Sequence, residues 1–333
     1  MEMGQVGVWE MGKVLITGVA GFIGSHLMSH FLGLGESVVG LDNFLTGKEE
    51  NLAAVLSEDA GYAGRFEMWR EDVRDYGAVE RAMRGVDCVY HEAALGSVPW
   101  SIEDPGLAHG TNLTGFVNIL EAARSCGVRR VVYASSSAVF GDARGIPARE
   151  GEEGHVLSPY AASKRAQEVY AEAWARCYGL EIVGLRYFNV FGARQDPNGA
   201  YAAVIPRWLA AMRRGEACVV YGDGQATRDY CHVSNVVRAN DLSGHVDLGG
   251  HGCALALNIG CGAETSLLEL HELMRKHVES KYGVRVPSPN FMPARLGDIA
   301  RSVADISGAR EAIGYAPQVS LAEGLSQYVC EGA

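Results

Sequence analysis

Between Lys13 and Tyr187 the chain alternates short apolar runs with segments of helical periodicity, and this alternation restricts its possible folds more than any other feature. The runs are Val14–Thr17, Ser37–Leu41, Arg65–Trp69, Val86–His91, Arg130–Ala134 and Ile182–Tyr187, each of strand length. After the first run, apolar residues recur at Leu27, Phe31 and Leu32, and Gly33 and Gly35 stop the helix. Gly115–Ser125 and Pro159–Tyr178 show the same spacing. Such alternation predicts an α/β chain with a doubly wound parallel sheet covered by helices on both faces. Past about residue 192 the texture changes, and loop-like stretches separate shorter elements. The expected division is 12–190 for the sheet domain, with some later segments returning to it, and 191–333 mainly for a smaller C-terminal lobe. That lobe would lie over the carboxyl edge of the sheet, where open α/β folds bind ligands.

At 333 residues the chain is long enough for both parts, and 48% hydrophobic against 21% charged residues excludes disorder. Lys and Arg number 29 against 40 Asp and Glu, a formal charge of −11. No general attraction to nucleic acid or anionic lipid follows, so any phosphate site is local. The aromatic residues lack the basic interleaving of a nucleic-acid platform. None of the eight cysteines forms a C-x-x-C pair, and the ten histidines show no H-E-x-x-H spacing. Free thiols, a cytoplasmic setting and no metal are expected. Without an apolar run of about 18 residues no membrane span is expected, and residues 1–11, which lack a period, read as a loose leader.

Gly18, Gly21 and Gly24 follow the first strand and open the first helix. In that position Gly18 permits a tight turn, Gly21 lets the backbone approach a pyrophosphate, and Gly24 lets helix pack on strand. The helix N-terminus adds free N–H groups and partial positive charge. The second strand ends at Asp42, 18 positions after Gly24, where a carboxylate can accept from adenosine ribose hydroxyls and repel a 2′-phosphate. The unit reads as a Rossmann site for NAD rather than NADP. Asp72 and Val73, after the third strand, are candidates for the adenine side, and Asp72 is alternatively a helix cap.

The fifth run ends in Ser135-Ser136-Ser137, and Tyr160 and Lys164 share one face of the helix starting at Pro159. A phenol with a pKa near 10 is a poor base at neutral pH, but an ammonium and an oxidised nicotinamide would both favour its phenolate. A serine hydroxyl can share the proton. The set suits removal of a proton from an alcohol whose carbon gives up hydride.

Together these motifs resemble the extended short-chain dehydrogenase/reductase superfamily, from about Lys13 to near the chain end. Five segments narrow the resemblance to nucleotide-sugar 4-epimerases: Leu41–Gly47, His91–Pro99, Leu185–Gly192, Asp196–Pro206 and Tyr221–Gly224. They are most similar to bacterial enzymes that act on UDP-N-acetylglucosamine. The resemblance implies Tyr160, Lys164, Ser136 and Ser137 as catalytic. It implies Gly18, Gly21, Phe22, Ile23, Gly24, Asp42, Asn43, Asp72, Val73, Ala93, Ala94, Leu95, Tyr160, Lys164 and Tyr187 around NAD. Gly96, Ser97, Ser136, Ser137, Asn189, Ala203, Val204, Tyr221, Arg228, Arg295, Asp298 and Ser302 would meet the UDP-sugar. The two arginines would grip the diphosphate, and Asp298 the uridine ribose. Ser302 stands where glucose-restricted members carry a bulky Tyr, which leaves room for a 2-acetamido group.

The implied reaction is 4-epimerisation of UDP-N-acetylglucosamine and UDP-N-acetylgalactosamine through a transient 4-keto sugar. UDP-glucuronate or UDP-glucose 4-epimerisation is the alternative, and a non-catalytic NAD-sensing binding protein is a reading of a different class. Elimination chemistry is disfavoured, because Ser137 and Ala138 occupy the places of the dehydratases' acidic pair. Phe140 and Ser234 depart from the usual Tyr and Asp of the family pattern. The apolar faces of Gly115–Ser125 and Tyr160–Tyr178 could serve the core alone, but in the enzymes this chain resembles two such helices pair across a dimer axis, so the resemblance implies a homodimer.

Overall fold

The computed structural model describes residues 12–197, 202–250, 252–294 and 300–331. Six strands arise from the predicted runs: β1 (Lys13–Thr17), β2 (Ser37–Leu41), β3 (Phe66–Trp69), β4 (Cys88–His91), β5 (Arg130–Ser136) and β6 (Glu181–Tyr187). With a strand at Ala254–Ile259 they form a seven-stranded sheet in the order Ala254–Ile259, β6, β5, β4, β1, β2, β3. Every pairing is parallel. Helices cover both faces, so β1, β2 and β4 are apolar without alternation. The strand order reverses between β1 and β4, which opens a crevice at their carboxyl ends.

Helix α1 (Phe22–Gly33) packs one face through Leu27, Met28, Phe31 and Leu32, next to Val236 and Ala239 of the helix at Val233–His245. The Gly115–Cys126 and Pro159–Tyr178 helices pack the other through Phe116, Ile119, Leu120, Ala171 and Ala175. The Pro159–Tyr178 helix has clear boundaries: Ser158 accepts from Ala161 N–H at 3.1 Å, Pro159 stands in the first turn, and Gly179 closes the end at φ 77°. Gly127 closes the other helix in the same left-handed way.

Several boundaries differ from the sequence reading, β1, β6 and the Gly115–Cys126 helix by a single residue each. Ala63–Arg65 forms a 3₁₀ turn, so β3 starts at Phe66. Strand β4 starts at Cys88, two residues later than Val86. Strand β5 runs to Ser136, because its ladder with β6 continues through Ser135–Arg186 and Ser136–Tyr187. Later segments divide between two roles. The Val233–His245 helix and the Ala254–Ile259 strand complete the sheet layer, whereas Phe191, Trp208, Leu209, Met212, Leu270, Met274 and Tyr328 form a separate small core. No described helix is long and apolar enough to cross a membrane.

Candidate functional site

The turn after β1 is tight enough that only glycine fits. A Cβ on Gly18 would stand 2.7 Å from Ala93 N, and Gly18 has φ +69°. One on Gly24 would stand 2.1 Å from Gly18 O. No side chain caps α1 and no acid stands in its first turn, so its N-terminal N–H groups and dipole face the crevice. Asp42 closes the opposite wall. Its carboxylate accepts from Ala20 N–H at 3.0 Å and Phe44 N–H at 2.8 Å, which holds it in place, and burial raises its pKa.

From this turn a cavity of about 610 Å³ runs along the carboxyl ends of the central strands. Its wall includes Gly18, Gly21, Phe22, Ile23, Gly24, Asp42, Asn43, Val73, Ala93, Ala94, Gly96, Ser97, Ser136, Ser137, Tyr160, Lys164, Tyr187 and Asn189. An elongated dinucleotide fits such a space: a Cβ-free cradle and helix N-terminus for phosphate at one end, and Tyr160 with Lys164 at the other.

Two residues assigned to that wall by resemblance are not in it. Asp72 is tied up by Asn43 Nδ2 at 2.8 Å and by Arg74 Nη2 at 2.7 Å, and the Arg74 guanidinium lowers its pKa to about 2. Nor does Asp72 cap a helix; Asp75 does so, accepting from Ala78 N–H at 3.1 Å. Leu95 has its side chain in the core, and its N–H donates to Asn112 Oδ1 at 2.7 Å.

Tyr160 and Lys164 project from one face of their helix towards the end of β5. The Lys164 ammonium is buried and donates to Ala134 O at 2.7 Å. Burial pulls its pKa down to about 8 against the pull of Glu92 and Glu168, so it remains protonated at neutral pH. Burial raises the Tyr160 phenol, a hydrogen bond with the Ser136 side chain opposes that shift, and the Glu92 charge adds to it. Ser136 thus eases ionisation of the phenol. Ser136 also accepts from Ala138 N–H at 3.1 Å, which orients its hydroxyl.

A buried ionic cluster fixes this helix to the sheet. Arg186 of β6 donates to both oxygens of Glu168, at 2.8 and 2.9 Å, and pairs with Glu153 at 2.6 Å. Ser135 donates to Glu168 at 2.8 Å. Phe140 lies under the Arg186 guanidinium, 5.0 Å from ring centroid to Cζ. Ser234 also has a local task, its hydroxyl hydrogen-bonded to His232 Nδ1 at 2.8 Å. His91 is buried against Thr17 Oγ1 at 2.7 Å, and burial lowers its pKa to about 3. It is a neutral scaffold group.

A second cavity, of about 450 Å³, adjoins the first at Asn189 and Val190. Its wall includes Ala203, Val204, Tyr221 and Arg228, all assigned to the nucleotide-sugar by sequence, together with Arg207, Trp208 and Tyr230. Ser302 lines neither cavity. It pairs with Arg228 in a short parallel ladder, and Asp229 N–H donates to its carbonyl at 2.8 Å, so it supports the wall from the adjacent strand. Ser302 is thus not among the described residues that line either cavity. Arg295 and Asp298 lie outside the described residues, as do residues 1–11.

Sequence reading passed over two participants. Asn112 sits in a π-turn at Gly110–Thr114 and joins Leu95, Ser163 Oγ (3.0 Å) and, through its carbonyl, Gln167 Nε2 (2.6 Å). Nothing in the local pattern marks such a turn. Glu92 lines the cavity beside Lys164 and accepts from the Tyr187 hydroxyl at 2.7 Å. Its one sequence signal is an ionisable residue at the end of a buried strand. No described group of His, Cys, Asp and Glu could hold a metal ion.

Residues 14–260 match the NAD dependent epimerase/dehydratase family, and the chain belongs to that family. A UDP-glucose 4-epimerase of Mycolicibacterium smegmatis is 38% identical over 324 residues, covering 95% of this chain and 97% of the relative. A UDP-N-acetylglucosamine 4-epimerase from Methanobrevibacter ruminantium, solved with UDP-N-acetylmuramic acid, superposes with a TM-score of 0.87 at 34% identity, covering 97% and 98% of the two chains. The UDP-glucose 4-epimerase of Thermus thermophilus in complex with NAD gives 0.81 at 36% identity, covering 96% and 99%.

Proposed function

We propose that the protein is an NAD-dependent UDP-sugar 4-epimerase that interconverts UDP-N-acetylglucosamine and UDP-N-acetylgalactosamine. The observation that carries this reading is the pair of joined cavities, with Tyr160, Ser136 and Lys164 in the first and two arginines in the second. The likeness to a UDP-N-acetylglucosamine 4-epimerase at 34% identity supports the N-acetylated sugar. The 38% identity to a UDP-glucose 4-epimerase favours UDP-glucose as the second reading.

NAD, when bound, would supply hydride acceptor and donor chemistry at C4 of the sugar. The Gly18–Gly24 turn and the start of α1 would hold its pyrophosphate, and Asp42 its adenosine ribose. Tyr160 takes the proton from the 4-hydroxyl and later gives it back, and the Ser136 hydroxyl holds the same oxygen. Lys164 keeps a positive charge beneath the cavity floor. Arg228 and Arg207 grip the diphosphate as planar forks, so the sugar can turn while the nucleotide stays anchored. Exposed Val169, Tyr170 and Tyr178 on the Pro159–Tyr178 helix support a homodimer through that helix, which sedimentation would test.

A proton NMR time course with UDP-N-acetylglucosamine and no added NAD tests the reaction. The expected outcome is new anomeric signals from UDP-N-acetylgalactosamine that reach a stable ratio. Turnover of UDP-glucose alone would favour the second reading; binding of NAD without turnover of any UDP-sugar would favour a binding protein.

A further inference from the structure

The end of the first cavity near Tyr160 holds a carboxylate that the reaction above does not use. Glu92 directly follows β4, and its N–H donates to Thr17 O at 3.2 Å, so the β1–β4 ladder fixes its backbone. Its side chain meets Tyr187 at the end of β6, whose hydroxyl donates to Oε1 at 2.7 Å. That hydroxyl in turn accepts from Asn240 Nδ2 at 2.8 Å, and Asn240, fully buried in the Val233–His245 helix, also donates to Val236 O at 3.0 Å. Groups from three further elements thus hold one carboxylate in the cavity wall.

The charged and titratable groups around it are few. Lys164 and Tyr160 of the Pro159–Tyr178 helix line the same cavity, and Tyr187 meets Glu92 from β6. His91, on its own strand, is turned to Thr17, and Cys231 lies beyond Tyr187. The end of β5 presents only serine hydroxyls. Lys164 is the one cation among the described residues that line this cavity. Burial raises the Glu92 carboxyl to about 7, with Tyr187 and Lys164 pulling the other way. Its charge therefore changes in the neutral range.

We propose that Glu92 is a positioning residue that sets the charge felt by Tyr160. Ionised, it offsets the Lys164 ammonium and keeps the phenol protonated; protonated, it frees Tyr160 to become the phenolate that accepts the sugar's proton. This rests on Tyr160 being the acid–base group of the proposed epimerase. Only protons move, and no electrons are exchanged. Because the two groups interact, their protons leave in two coupled steps that belong to the pair.

The test is a pH titration of phenolate by ultraviolet difference absorbance on the full-length, NAD-loaded protein, with Tyr160→Phe as the subtracted blank. Glu92→Gln keeps an oxygen for the Tyr187 hydroxyl and removes the charge. It should lower the phenolate midpoint by about one pH unit, a tenfold change. The acid limb of kcat/KM should move the same way. Tyr187→Phe removes the hydrogen bond that favours ionised Glu92, and should move the midpoint in the same direction by less. A midpoint that is unmoved or raised in Glu92→Gln, with NAD content and circular dichroism unchanged, overturns the proposal. The titration needs no sugar, so a shifted phenolate without turnover of any UDP-sugar would refute the epimerase reading alone.

Discussion

The two cavities adjoin at Asn189 and Val190 yet meet charge in opposite ways. The first takes its wall from the ends of neighbouring parallel strands and, among the described residues, includes Asp42, Glu71 and Glu92 against the single cation Lys164. Among the described residues, the second takes its wall from residues 189–230 and Leu267, carries Arg207 and Arg228, and shows no carboxylate. An anionic dinucleotide can enter the first only if backbone N–H groups and the dipole of α1 supply the attraction. The second can hold a diphosphate through guanidinium groups. The first should thus be sensitive to shape, and the second to side-chain charge.

The largest effect expected is on the acid–base group. Tyr160→Phe should lower kcat about a thousandfold while NAD still copurifies, read by NMR turnover and nucleotide extraction. Near-normal turnover would remove Tyr160 from the chemistry. Next comes shape: Gly24→Ala puts a methyl 2.1 Å from Gly18 O, and should cost about 3 kcal/mol of stability and abolish NAD retention. Retention with an unchanged melting temperature would show that the turn is not the phosphate cradle. Third is charge: Arg228→Ala should raise KM for the UDP-sugar roughly thirtyfold with little change in kcat, and Arg228→Lys should restore only part. An unaltered KM would disconnect the second cavity from the nucleotide. The smallest effect belongs to Asp72→Ala. Its carboxylate already serves Arg74 and Asn43 outside the cavity, so NAD affinity should change less than about twofold. A tenfold loss, by fluorescence titration, would bring Asp72 back into the cofactor site.

Readability followed the range of the interactions. The strand–helix order was legible because short continuous apolar runs and a helical period of 3.6 are each written within a few residues. The Gly18–Gly24 turn was legible because its turn and helix start occupy seven consecutive positions. Boundaries set by partners were not: Ser135 and Ser136 belong to β5 only because Arg186 and Tyr187 lie alongside. Asp72 illustrates the same limit, since nothing near it in sequence announces that Asn43 will take its second oxygen. The pairing of Ser302 with Arg228, 74 positions earlier, was equally invisible in the sequence.

Taken by itself, the sequence determined that the chain winds a parallel sheet, that a dinucleotide turn opens it, and that Tyr160 and Lys164 share a helical face. These depend on neighbours no more than one helical turn or one strand–helix unit away. Tertiary structure alone decided that Glu92 meets Tyr187, 95 residues on, and that Tyr187 meets Asn240, 53 residues further. It also decided that Asn189 and Arg228 line one space, and that the Val233–His245 helix and the Ala254–Ile259 strand complete the sheet layer. The physical reason is that burial and long-range hydrogen bonds, which set the charge of a buried carboxyl or phenol, exist only once distant strands have been brought together.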